Sequence, residues 1–236
     1  LALFIIATPI GNLGDMTYRA VATLNEVDLV LAEDTRVSKV LLNHYNITKP
    51  MISYHDFNKE RVTPQIIGRL KNGEKIALIS DAGTPGLADP AYNLVRDAIK
   101  ENIPVHPLPG ASALLAGLVC SGLPTDRFVF EYFLPVKSGR RIRLIESFKS
   151  EPRTIIFYET PHKIIKLLNE LNSIIPDASI AIGRELTKMH EEFLRGTPSA
   201  ILKHFEKRTP KGEFVVVINT RIQQSIQSEE TDDETD

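Results

Sequence analysis

The sequence predicts an α/β protein of two α/β domains, the first built on a mostly parallel sheet and the second on a mixed one. Three observations carry this. Apolar runs that fit strands alternate with helix-spaced stretches about five times in the first 110 residues, the pattern of a parallel sheet covered by helices on both faces. Several of those runs stop in a loop bearing glycine or adjacent polar residues, as open α/β sheets do where they present a ligand. Beyond Gly122 the alternation restarts, and closely spaced strands near the end of the chain point to antiparallel members.

The first half reads as follows. Leu3–Ala7 is a strand that ends in Thr8-Pro-Ile-Gly-Asn-Leu-Gly-Asp15. Thr17 to Val27 is a helix, with Tyr18, Val21, Ala22 and Leu24 at one-face spacing. Asp28–Ala32 is a buried strand ending in Glu33-Asp34-Thr35-Arg36, and Val37–Tyr45 a helix. Pro50–Tyr54 is a short strand, followed by His55-Asp-Phe-Asn58 and a helical stretch to about Lys71. Lys75–Ser80 is a strand, Ala91–Glu101 a helix, and Pro104–Leu108 a strand leading into Pro109-Gly-Ala-Ser-Ala113.

A helix over Ser112–Ser121, then Gly122-Leu-Pro-Thr-Asp126, makes a hinge. The second half gives strands at Phe128–Phe133, Thr154–Tyr158, Ser179–Gly183 and Glu213–Asn219, with a further candidate at Glu192–Gly196. Its helices are expected over Arg141–Phe148 and Pro161–Asn172, the latter carrying Ile164, Ile165, Leu167, Leu168 and Leu171 on one face. The domains are accordingly drawn as 1–116 and 117–222, with 223–236 as a disordered acidic tail.

Composition narrows the class. With 42% hydrophobic and 25% charged residues the chain is ordinary globular material. Its longest apolar runs, Leu1–Ala7 and Ala113–Cys120, are too short to span a bilayer. The N-terminal run lacks a basic flank and reads as a first strand, not a signal peptide. A lone Cys120 excludes an internal disulfide and a cysteine-based zinc site, and no His/Glu spacing forms a zinc-binding helix. A cytoplasmic protein is expected. The net charge of −2 hides an asymmetry: residues 225–236 carry six acids and no base, leaving 28 bases against 24 acids elsewhere. A mildly basic body suits an anionic partner.

The stretch with most chemical character is Ala77 to Pro90, a strand that breaks into two glycines, two prolines and two aspartates. Gly83 and Gly86 let backbone approach a ligand, while Pro85 and Pro90 hold the loop's shape in advance. The plain alternative is a tight turn capped by Asp89. There is no Gly-x-Gly-x-x-Gly after the first strand and no Gly-Lys-Ser/Thr, which counts against dinucleotide and P-loop sites. Lys137 to Arg143 puts four cations in seven residues, a phosphate-binding patch or a solvated helix start. Gly183 to Lys188 places charges at a strand end, as proton-transfer groups or as a loop brace. Glu33 to Arg36 is equally open, helix capping by Asp34 or Thr35 being the simpler account. Tyr158-Glu-Thr-Pro-His162 either caps a helix or flanks a site. The residues alone reach a two-domain protein with a small-ligand cleft and do not name the ligand.

Seven stretches taken together carry a resemblance: Thr8–Asp15, Ala32–Arg36, Ser80–Pro85, Pro109–Ala113, Tyr158–His162, Arg184–Lys188 and Lys211–Glu213, in this order. They resemble the tetrapyrrole-methylase superfamily, and within it the ribosomal RNA small subunit methyltransferase I branch, over roughly residues 3–220. The resemblance implies a homodimer of two-domain subunits and S-adenosylmethionine as methyl donor, folded in the cleft between the domains. The implied reaction is 2′-O-methylation of a cytidine ribose in the decoding region of small-subunit ribosomal RNA. Carried over by residue, Pro9, Asp81, Gly83, Leu87, Ala88, Ser112 and Ala113 contact the donor, and Tyr158, Arg184, Glu185, Leu186 and Gly212 close over it. One departure is Tyr132, where the branch usually has Gly.

A ribose hydroxyl is a poor nucleophile, so a base that takes its proton would help by about 10²–10⁴-fold. Glu185 or Asp34 would serve, with Lys188 or Arg36 on phosphate; the sequence does not choose. RNA contacts are expected from Arg36, Lys39, His55, Asn58, Lys137, Arg140, Arg141 and Arg143, with no metal, membrane or DNA. The target nucleotide would be turned out of its stack to be reached. Two competing readings remain: a tetrapyrrole C-methyltransferase, in which the basic run has no role, and a non-catalytic nucleotide- or RNA-binding module.

Overall fold

The computed structural model describes residues 1–87, 89–206 and 208–221. The chain divides into two compact units, Leu1–Ser112 and Ala113 onward. The first unit contains strands β1 (Ala2–Ile6), β2 (Leu29–Ala32), β3 (Met51–Ser53), β4 (Lys75–Ile79) and β5 (Val105–Leu108). Between them run helices α1 (Tyr18–Glu26), α2 (Thr35–His44), α3 (Lys59–Lys71) and α4 (Ala91–Lys100). The strands lie in the order β3-β2-β4-β1-β5, and every neighbouring pair is parallel.

Strand β2 explains why: all four of its residues are buried, so it belongs inside a sheet covered on both faces. Leu29 and Leu31 join Leu3, Ile76 and Leu78 against Ile66, Leu70, Leu94 and Ala98 of α3 and α4. Val30 and Ala32 join Ile6, Ala77 and Ile79 against Ala20 and Leu24 of α1 and Leu42 of α2. Alternation along one strand therefore divides the helices between the two faces.

In the second unit, helix α5 (Ala113–Val119) precedes β6 (Phe128–Phe133), α6 (Ser138–Ser147), β7 (Thr154–Glu159) and α7 (Ile164–Ile174). Then come β8 (Ser179–Arg184), β9 (Glu192–Gly196), α8 (Pro198–Phe205) and β10 (Phe214–Asn219). The sheet order is β6-β7-β10-β8-β9; β6 and β7 are parallel and the other pairs antiparallel. The mixed sheet expected from the sequence is what forms.

Phe214, Val216 and Ile218 of β10 face a core shared with α6, α7 and α8. On the other face α5 sits directly on β10, for a Cβ at Gly117 would meet Val215 Cγ1 at 2.6 Å. That seating puts all of α5 in the second unit, so the division falls after Ser112 and not, as expected, after residue 116. Helix α8 is not among the elements expected from the sequence. Thr197 caps it by accepting from Ala200 N–H, and Pro198 opens it, a start signal present in the sequence. The 223–236 tail lies outside the described residues. Among the described residues no helix is long and apolar enough to cross a membrane.

Candidate functional site

All five strands of the first sheet run the same way, so the loops after them share one edge. The chain leaves β1 toward β2 on one side and leaves β4 toward β5 on the other, which makes the β1/β4 boundary the topological switch point where open sheets take ligands. The loops there are stitched together. Thr8 and Gly83 exchange both backbone hydrogen bonds, 2.9 and 3.0 Å, and Thr8 Oγ1 and Ser80 Oγ donate to the carbonyls of Ser80 (3.1 Å) and Gly83 (3.0 Å). Thr84 Oγ1 ties in the loop after β5 by donating to Ala111 O at 3.1 Å.

Gly83 has φ +83°, and a Cβ there would press on Ile10 at 3.3 Å. Gly86 N–H donates to both Asp89 carboxylate oxygens, and Oδ1 also accepts from Ala91 N–H at the head of α4. Burial raises the Asp89 pKa, against those donors. Pro9 is buried and Leu87 is exposed on its loop; Ala88 lies outside the described residues. Ser112 is buried with its Oγ unpartnered. A rigid, glycine-shaped edge with an unspent hydroxyl is what a small polar ligand fits. Ala113 is half-buried as the first residue of α5.

The polar residues after β2 and β3 fall at the same edge. Asp34 caps α2 through Arg36 N–H at 2.8 Å and takes the Arg36 guanidinium at 3.0 and 2.6 Å. Those contacts hold its carboxyl down to about 2. Asp34 N–H in turn donates to Asp81 Oδ1 at 3.0 Å. Glu33, part of the same polar stretch but not among the bases named from the sequence, behaves oppositely: burial first, then the charges of Asp81, Asp89 and Asp56, raise its pKa. Arg36 and Lys39 are exposed. Asn58 is spent on its own loop, accepting from His55 N–H and donating to Ser53 O. His55 presents a buried Nδ1 with no partner.

In the second unit, strand directions bring the ends of β6, β7 and β8 to one edge with the starts of β9 and β10. Tyr158, Arg184, Glu185, Leu186, Lys188 and Gly212 thus belong to one loop group. Glu185 and Thr187 both have positive φ, +49° and +66°, a conformation non-glycine residues keep only when neighbours enforce it. Here they do. Glu185 N–H donates to Glu213 O at 3.0 Å, and Glu185 Oε1 accepts from Glu213 N–H at 3.0 Å and Lys188 Nζ at 2.9 Å. Lys188 also reaches Glu213 Oε2 at 2.9 Å. Its hydrogen bond lowers the Glu185 pKa despite partial burial. Gly212, at φ +92°, leaves the space: a Cβ would lie 2.4 Å from Glu185 Cγ. Leu186 is buried against Gly183. Tyr158 is half-buried, its ring edge-on to Phe130 and Phe133, and burial raises its phenol pKa.

The basic run divides in two. Lys137, Arg140 and Arg143 are exposed. Arg141 is 5% exposed, forked onto Glu170 at 2.6 and 2.7 Å, with NH1 donating to the carbonyls of Pro135 and Val136. The expectation that Arg141 meets RNA is corrected: one residue along a helix is a 100° turn, which carries it to the face of buried Ile145. Tyr132 sits at φ +58° beside a register shift in β6, a backbone suited to the glycine usual in the resembled branch.

These geometries agree with comparisons to known proteins. A family model described as Tetrapyrrole (Corrin/Porphyrin) Methylases matches residues 2–201. The chain is 52% identical over 217 residues to the Ribosomal RNA small subunit methyltransferase I of Synechocystis sp., covering 92% of this chain and 78% of that protein. Its namesake from Thermotoga maritima is 48% identical, covering 92% of this chain and 97% of that one, and the one from Bacillus subtilis 42%, covering 97% and 78%. Among solved structures, diphthine synthase superposes with a TM-score of 0.72 at 15% identity, covering 94% of this chain and 90% of that one. A uroporphyrin-III C-methyltransferase from Thermus thermophilus, complexed with S-adenyl homocysteine, superposes at 0.60 with 18% identity, covering 94% and 99%; these two likenesses show the fold. Match and architecture converge, and the chain belongs to the tetrapyrrole methylase family.

Proposed function

We propose that this protein methylates small-subunit ribosomal RNA with S-adenosylmethionine as donor, and that the acceptor is the 2′-hydroxyl of a cytidine in the decoding region. The observation that carries the reading is the likeness to Ribosomal RNA small subunit methyltransferase I across 92% of the chain at up to 52% identity. The tetrapyrrole C-methyltransferase and the non-catalytic module are set aside on the same ground.

When bound, the donor supplies a methyl group on a positively charged sulfur. The residues proposed to hold it are Pro9, Asp81, Gly83, Leu87, Ala88, Ser112 and Ala113, with Tyr158, Arg184, Glu185, Leu186 and Gly212. The rigid Thr8–Gly83 edge and the unpartnered Ser112 hydroxyl support this. Fixing two reactants in register contributes roughly 7–11 kcal/mol in favourable cases.

Proton removal is the finer question. Asp34 and Glu185 have lowered pKa values, which makes both weak proton acceptors near neutrality. Glu185 with Lys188 is better suited to bracing its loop, and Glu33, with its raised pKa, is better poised to take a proton. RNA contact is assigned to Arg36, Lys39, His55, Lys137, Arg140 and Arg143. We place the protein in the cytoplasm with its substrate, as a homodimer of 26.4 kDa subunits.

Purified protein, small ribosomal subunits and methyl-labelled donor test the reading. Label is expected in an alkali-resistant dinucleotide, because a 2′-O-methyl blocks cleavage at its phosphate. Label on a base, or none, would refute it. Sedimentation equilibrium checks the dimer.

A further inference from the structure

The second unit contains a cavity of about 460 Å³ lined by Arg184, Glu192, His204, Phe205, Arg208, Thr209, Pro210 and Lys211. Only Arg184 belongs to the set expected from the sequence. Its walls come from the end of β8, the start of β9, the last turn of α8 and the loop into β10.

Three cations, an imidazole and a single carboxylate line it. Glu192 Oε1 lies 3.2 Å from His204 Nε2 and 3.8 Å from Arg208 NH1, and Glu192 Oε2 lies 3.4 Å from Arg184 NH1. Tight charge-assisted bonds run about 2.7–2.9 Å, so one carboxylate is shared among three partners and holds none of them at that length. Lys211 has no carboxylate partner among the described residues, and the Arg208 side chain is 68% exposed. Arg184 is fixed in place, its Nε donating to Lys211 O at 2.7 Å. A pre-positioned guanidinium, an ammonium with no carboxylate partner among the described residues and an exposed guanidinium around an open volume make a receptor for a compact, multiply charged anion.

We propose that this cavity binds a phosphate group, and that in the working protein the phosphate belongs to the RNA backbone. The second half of the statement rests on the ribosomal RNA reading above; the first does not. Lys203 and His204 also stand in the last turn of α8, where cations complement the helix dipole. That role alone would not need Arg208 and Lys211 beyond the helix end.

The test uses the full chain with Arg208→Ala, Lys211→Ala and the double variant, and two probes: inorganic phosphate and a single-stranded oligoribonucleotide. Affinity of S-adenosylmethionine, measured by calorimetry, reports that each variant is folded. For the double variant, RNA affinity at low salt is expected to fall about tenfold, and the slope of log K against log salt to lessen by about 0.7, one backbone phosphate. The thermal shift given by inorganic phosphate should be lost in parallel. Loss of the phosphate shift with unchanged RNA binding supports the anion site and overturns the backbone assignment. Wild-type values for both probes, with or without a lower unfolding midpoint, overturn the proposal and leave α8 capping. Methyl transfer by the unaltered protein, run alongside, fails only if the ribosomal RNA reading itself is wrong.

Discussion

At the scale of the residue, Gly212 shows how tightly the loop after β8 is drawn. An added methyl would sit 2.4–2.6 Å from the Glu185 side chain at a φ of +92°. Gly212→Ala should therefore lower stability by roughly 1–3 kcal/mol and weaken donor binding, read by denaturant midpoint and calorimetry. An unchanged midpoint would mean that the Glu185 carboxylate moves freely. Glu33 gives a pH signature. An acid whose pKa is raised on folding binds more protons folded than unfolded, so stability falls as pH rises from its unfolded value, 4.5, through the folded one. Glu33→Gln should raise the unfolding midpoint at pH 7 and leave it near wild type at pH 3.5. Equal midpoints at both pH values would deny the raised pKa. Glu185 runs the other way: its pKa is lowered, so its contribution is present above pH 4.5 and disappears on acidification. Lys188→Ala should flatten the acid limb of the stability profile.

At the scale of the element, α6 carries two kinds of arginine. Arg141 and Glu170 have side chains only 6% and 14% exposed, and removing one member of such a pair strands the other. Arg141→Ala should cost about 3–5 kcal/mol, with Arg141→Lys recovering part of it because lysine lacks the fork. Arg140→Ala with Arg143→Ala should change stability by less than about 0.5 kcal/mol per site while weakening RNA binding and reducing its salt dependence. Urea titration and filter binding separate the two outcomes. The sequence offered this distinction: Arg141 stands four residues before Ile145 and seven before Phe148, on the apolar stripe. A run of four cations in seven residues concealed it, since composition counts charges and helical phase sorts them. Helix α8 also has its signal in the sequence, the Thr197-Pro198 start, but it is a helix of only eight residues and leaves a short periodic trace.

At the scale of the whole molecule, charge is uneven along the chain. Deleting residues 225–236 removes six acids and no base, turning a net charge of −2 positive. RNA affinity at low salt should rise, with a steeper salt dependence. Identical binding curves for the full and shortened chains would show that the acids do not compete with the basic face.

The alternation of apolar runs with helix-spaced segments determined the class, the strand order along the chain and most loop positions, because burial on two faces leaves a periodic trace in the residues themselves. The glycines at 83 and 86 were visible for a different reason, that only certain residues tolerate such backbones, while Gly212 was picked out by the family resemblance alone. Tertiary structure alone decided which strands adjoin, and hence that Thr8 meets Gly83 and that Glu185 is clamped by Lys188 and Glu213. It also set apart Asp34 and Glu33, neighbours in sequence with opposite proton affinities, and gathered Arg184, Glu192, His204, Arg208 and Lys211 around one volume. Several of these pairings join residues far apart in the chain, 75 for Thr8 with Gly83 and 28 for Glu185 with Glu213, and a side chain's partners, not its identity, set its charge and its freedom.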